Sequence, residues 1–216
     1  MGELRFFAVG IDEVRDVFAA SEELRERLRQ SATKRLKPPE PPRIGLLGKL
    51  GPMFRKPLNA PVVNPAEPTA ADIENVLSGR FVAPERSDAA WALLRDWLAE
   101  LAWGTTADTM TPDEMSALDF DLARAGMSSQ YGFAKLLNAE LGIPLRPARG
   151  LSTGYIKHHQ VANLTHALEH ADEQLEGANA ERVRRLTRWL HGFPHWAEVA
   201  PGAGRPEPDL VVLYQA

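Results

Sequence analysis

Apolar residues recur along this chain at two periods, and each change of period marks where strands give way to helices. Leu4 to Val9 is a short apolar run with two phenylalanines, closed by Gly10, and predicts an opening β-strand. Beyond Asp12, Val14, Val17 and Phe18 share a helical face. Ser21 then precedes Glu22, Glu23 and Leu24, a cap followed by acids at the positive end of a helix that continues through Leu28. Thr69 predicts a cap for Ala70 to Leu77, with Ser78-Gly79 as the stop. Ser87 opens the strongest amphipathic stretch, with Trp91, Leu94, Trp97, Leu98 and Leu101 at three- and four-residue spacings and Gly104 past its end. Thr111-Pro112-Asp113-Glu114 combines a cap, a proline at the first helical position and two acids in the first turn. Ser128 or Ser129 predicts a further helix carrying Phe133, Leu136, Leu137 and Leu141, ended by Gly142, and Pro144 to Gly154 reads as irregular. Two helices are expected over 155–176 and 179–191, divided at Gly177, and Asp209 to Tyr214 predicts a closing strand. A lone strand cannot satisfy its backbone groups, so the terminal strands are expected in one small sheet. The fold class is therefore α+β and predominantly helical, with several amphipathic helices packed around a sheet that includes both terminal strands.

The texture changes between about residues 34 and 68, where nine of the seventeen prolines lie. Proline blocks helix continuation and removes a backbone donor, so this stretch reads as an insertion or long loop in a single domain. Its first part is also basic: Lys34, Arg35, Lys37, Arg43, Lys49, Arg55 and Lys56 face only Glu40. Within it, Ile44 to Phe54 is apolar but broken by Gly45, Gly48 and Gly51, each costing a helix about 1 kcal/mol. Arg146 and Arg149, with Lys157 and His158 beyond them, form a second basic stretch. Lys49, Arg55, Lys56, Arg146 and Arg149 are the expected partner-binding residues, suited to an acidic protein surface.

Composition narrows the classes further. The 44% hydrophobic and 25% charged fractions suit a folded globular protein. With no cysteine, disulfides, thiol catalysis and cysteine-ligated metals are excluded. The N-terminus lacks the basic and apolar regions of a signal peptide, and no apolar run approaches membrane-spanning length, so a cytoplasmic location is expected. A net charge of -4 argues against generic nucleic-acid binding. No phosphate-binding glycine loop and no nucleophile elbow is present. Asp119-Phe-Asp121 has the spacing of some metal-binding pairs, but on a helix the two carboxylates point about 200° apart.

All six histidines fall within 38 residues: His158, His159, His166, His170, His191 and His195. On a helix of about 100° per residue, Val161, Leu164, Leu168, Ala171 and Leu175 define the buried side. His159, His166, His170 and Glu173 fall within about 60° of one another on nearly the opposite side. His166 and His170, one turn apart, have the spacing with which two imidazoles ligate one divalent metal. Ala167 stands where a zinc protease would need its glutamate, which excludes that mechanism. The default expectation for the same face is a solvated helix surface, with a pH-sensing or partner-binding surface ahead of a metal site.

The opening Phe6-Phe7-Ala8-Val9, the stretch Gln130-Tyr131-Gly132-Phe133-Ala134-Lys135-Leu136-Leu137, and the closing Asp209-Leu-Val-Val-Leu-Tyr214 resemble the YfbM-like group of uncharacterised bacterial proteins. The resemblance covers about a third of the chain. It implies a compact helical protein with a small sheet and carries no catalytic residue across.

Two functional expectations follow. The first is a non-catalytic cytosolic binding or regulatory protein that engages a protein partner through the basic, proline-rich insertion and its histidine-bearing helix face. The second is a small metal-dependent enzyme built around His159, His166 and His170, with Glu173 or His195 as completing ligand or general base.

Overall fold

The computed structural model describes residues 1–36 and 64–216. In chain order the elements are β1 (Gly2–Ala8), α1 (Ile11–Asp16), α2 (Glu22–Thr33), α3 (Ala70–Leu77), α4 (Ser87–Leu101), β2 (Thr105–Met110), α5 (Pro112–Arg124), α6 (Phe133–Leu136), β3 (Leu151–Ile156), α7 (His158–Asp172), α8 (Gly177–Leu190), α9 (Phe193–Val199) and β4 (Leu210–Gln215). The strands form one antiparallel sheet in the order β2-β1-β4-β3, so the two chain ends pair at its centre, Phe6 opposite Val212. The fold is α+β and mainly helical, as the hydrophobic pattern predicts.

Helices cover both faces of the sheet. Leu4, Phe6, Leu210, Val212 and Tyr214 point into one core with residues of α5, α6, α7 and α8. Phe7, Val9, Val211 and Leu213 point into the other with residues of α1 to α4. A central strand buried on both sides needs apolar residues at consecutive positions, which is why β4 is an unbroken Leu-Val-Val-Leu-Tyr run. Each large apolar side chain so buried contributes roughly 1.5–3 kcal/mol of transfer free energy.

The capping signals hold. Ser21 Oγ accepts from the Leu24 amide, and Thr69 and Thr111 form capping boxes with Asp72 and Glu114. Other expectations need correction. The long helix expected from Ser128 to Leu141 is a 3-10 turn at Ser129–Tyr131 followed by the single turn of α6. Phe133, Leu136 and Leu137 belong to one core and Leu141 to the other, so the chain must pass round the sheet here and cannot stay helical. Asp119 fixes the start of α6 by accepting from the amides of Phe133 and Ala134 at 2.7 and 2.8 Å, while Asp121 accepts from Asn179. The segment expected to be irregular through Gly154 contains edge strand β3, and its Gly154 is obligatory. A Cβ there would collide with the Leu136 carbonyl oxygen, so only glycine lets α6 ride directly on the sheet. The other edge strand, β2, and the short α9 lie outside the expected set. Among the described residues no helix is long and apolar enough to cross a membrane.

Candidate functional site

The most organised polar structure on the α2–α4 side lies where residues flanking 37–63 meet the body. Asp72, in the first turn of α3, is only 5% exposed through its side chain, and Arg86 only 18%. The Asp72 carboxylate accepts from the Thr69 amide at 2.8 Å, the Thr69 hydroxyl at 2.6 Å, and Arg86 Nε and Nη2 at 3.1 and 2.5 Å. Burial pushes the Asp72 carboxyl up, but these donors together outweigh burial and leave it below its usual value. Arg86 uses its remaining donors on backbone, reaching the carbonyls of Asn64 at 3.0 Å, Pro65 at 3.3 Å and Glu67 at 2.7 Å. One guanidinium thus fastens residues 64–67 to α3, a use of the rigid five-donor fork that lysine could not reproduce.

The other flank is held at the end of α2. Arg35 pairs with Asp96 of α4 at 2.8 Å. Arg29 makes a two-point contact with Glu74 of α3 at 2.6 and 3.1 Å, and this hydrogen bonding holds the Glu74 carboxyl below its usual range. Between the two flanks lies a cavity of about 210 Å³, lined by Ala32, Arg35, Leu36, Pro68, Leu93 and Trp97 among others. The Trp97 indole N–H donates to the Leu28 carbonyl at 3.0 Å, which leaves the ring free to act as an apolar wall. Its walls are mixed, apolar at Leu36, Leu93 and Trp97 and polar at Ser31, Arg35, Glu67 and Asp96, and its volume exceeds the roughly 150 Å³ that takes a benzene-sized guest.

A second polar centre stands at the end of the sheet where α1 and α7 begin. Asp209 is 5% exposed, and its carboxylate accepts from the amides of Ile11 at 2.9 Å and His158 at 2.8 Å and from Lys157 Nζ at 3.3 Å. A carboxylate at the positive ends of two helices is well stabilised. Both oxygens are committed to backbone donors, so Asp209 acts as a staple between the two helical layers. The His158 ring lies against it, Nδ1 3.2 Å from the Pro208 carbonyl oxygen.

The histidine face is open by contrast. His159, His166 and His170 are exposed along α7, and His191 and His195 are exposed beyond it. His166 Nδ1 lies 3.8 Å from Glu169, and His170 Nδ1 lies 3.8 Å from Glu173. His191 Nε2 reaches across from the end of α8 to Glu169 at 3.0 Å. Among the described residues no group of three or more histidine, aspartate or glutamate side chains is arranged to hold a metal ion.

The description "Domain of unknown function (DUF7691)" names the family whose sequence model matches residues 1–215. The chain belongs to the DUF7691 family. No curated protein and no solved structure matches it.

In this DUF7691 chain the expected site residues separate into three groups. Lys49, Arg55 and Lys56 lie outside the described residues. Arg146 and Arg149 are exposed, and the backbone carbonyl of Arg146 accepts from Trp91 of α4 at 2.7 Å. Arg146 thereby stands over the same helix that lines the cavity. His159, His166, His170 and Glu173 share a face, as the helical angle predicts, but His159 stands apart by two turns. Sequence reasoning passed over Asp72, Arg86, Asp96, Glu169 and Asp209. Two carried a readable signal: Asp72 completes a capping box with Thr69, and Glu169 stands three residues after His166.

Proposed function

We propose that this protein is a non-catalytic binding or regulatory protein of the cytosol that engages a protein partner at its α2–α4 side. The basic, proline-rich stretch at 34–68 is the main contact, with Arg146 and Arg149 adding positive charge. The carrying observation is the anchorage of residues 64–67 by the buried Arg86–Asp72 pair, beside a cavity large enough for one apolar side chain of a partner. The guanidinium fork of Arg86 holds residues 64–67 against α3 at the edge of that cavity. Preorganised flanks lower the ordering cost of binding, which is where recognition segments lose affinity. The net charge of -4 keeps nucleic acid outside this reading. Kinship with the YfbM-like group belongs to the same proposal; its three segments fall on β1, on the turn leading into α6, and on β4.

The test pairs a deletion with a point change. Residues 37–63 are replaced by a short glycine-serine linker, and separately Ala92→Trp places a large side chain on the cavity wall, which Ala92 helps to line. A partner captured by the wild type, then purified and titrated, should lose binding to both variants, while circular dichroism shows both still folded. Undiminished binding by the folded deletion variant would overturn the proposal.

A further inference from the structure

His166-Ala-Leu-Glu169-His170-Ala-Asp-Glu173 is a tandem pair of His-Ala-x-Glu units, displaced by one turn along α7. The structure gives both units the same geometry: each imidazole turns Nδ1 toward the glutamate three residues on, at 3.8 Å. Both rings are open to solvent, with side chains 87% and 65% exposed. The helix beneath is anchored by Val161, Leu164, Leu168 and Ala171, so it is a fixed rail. We propose that His166 and His170 form a two-imidazole site for a borderline divalent transition-metal ion, Cu(II), Ni(II) or Zn(II), bound through their Nε2 atoms with water completing the coordination.

Three physical points carry the assignment. At 3.8 Å each carboxylate is too far from Nδ1 for a hydrogen bond, but its negative charge favours the tautomer with the proton there, which leaves the Nε2 lone pair as the donor. Residues four apart on a helix hold their Cβ atoms about 5–6 Å apart, a span that two imidazoles close around one ion at about 2.0–2.1 Å per Zn–N bond. Glu169 and Glu173 add negative charge beside the dication, and the 3.0 Å contact from His191 holds Glu169 in place. His159 is excluded from the set, because seven residues of helix place it about 10 Å along the axis from His166. Glu173 likewise changes role, from expected ligand to neighbouring negative charge. Two protein ligands make an exchangeable site suited to reversible loading. The site does not depend on the partner-binding reading, since it lies on a different helix from the cavity.

The test is calorimetric titration of untagged protein with CuCl2 and with NiCl2 at neutral pH. The expected order of affinity places Cu(II) first. His166→Ala and His170→Ala should each weaken binding about tenfold or more, and the double change Glu169→Gln with Glu173→Gln by about tenfold. His159→Ala and His195→Ala should bind as the wild type does. The electron spin resonance spectrum of the Cu(II) complex should show two equivalent nitrogen ligands, reduced to one in either single-histidine variant. Circular dichroism confirms folding of these surface variants. Absence of binding, or wild-type affinity in His166→Ala or His170→Ala, overturns the site.

Discussion

The Asp72–Arg86 anchor and the histidine face of α7 are both built from acid-base pairs on helices, yet they differ in what the pairing accomplishes. At the anchor the carboxylate is withdrawn from water beside a half-buried guanidinium, and every donor of that guanidinium has an acceptor, three of them backbone carbonyls. On α7 the pairs are solvated, longer, and made between neighbours on one helix, apart from the reach of His191. Exposed pairs contribute about 0–1 kcal/mol, whereas breaking a buried pair strands a charge. One region uses charge to hold chain in place. The other leaves its nitrogens available for a ligand.

The largest test of that contrast is Arg86→Ala. It strands the buried Asp72 carboxylate, while the carbonyls of residues 64–67 return to water, and it should lower the free energy of unfolding by about 3 kcal/mol, measured by urea denaturation. A loss as small as that of a surface substitution would break the comparison. Asp209→Ala follows, at about 2 kcal/mol, because the amides of Ile11 and His158 lose their acceptor in a buried place. This change sharpens the contrast, since Asp209 caps the very helix that carries the histidines, so burial and not location would set the cost.

Acid should act on the anchor next. The carboxyls of Asp72 and Glu74 are held below their usual values, so their contribution is fully present above the unfolded pKa and is lost as pH falls through the folded value. Stability should therefore decline below about pH 4, with a shallower slope in Asp72→Asn, read from urea midpoints across a pH series. The smallest effect belongs to His166→Ala. Without metal it should change stability by no more than about 0.5 kcal/mol, and added Ni(II) should raise the melting temperature of the wild type but not of this variant.

Legibility in the sequence follows from how local each cause is. The helices opened by Thr69 and Thr111 were readable because cap, apolar stripe and stop lie within one short stretch, and the helix from Ser87 through its apolar stripe alone. The terminal strands were readable because burial on both faces demands apolar residues at consecutive positions, Phe6 to Val9 at one end of the chain and Leu210 to Tyr214 at the other. Strand β2 was not, because as an edge it buries only Met110 and reads as Thr-Thr-Ala-Asp-Thr. Strand β3 was hidden by Gly154, whose need for a bare backbone comes from Leu136, eighteen residues away. In the site, the face shared by His166, His170 and Glu173 was legible from the helical angle alone. Arg86 was not, since its acceptors span Asn64 to Asp72 and no periodicity relates them to it.

By itself the sequence determined the helical faces, their caps, the pairing of the chain ends in one sheet and the segregation of histidines from the core. All of these depend on residues within a few turns or on the demand that strands find partners. Tertiary structure decided that helices cover both faces of that sheet, that Asp209 joins α1 to α7 across 198 residues, and that His191 meets Glu169. Those contacts bring together groups distant along the chain, and their directions are set by packing, which no local pattern encodes.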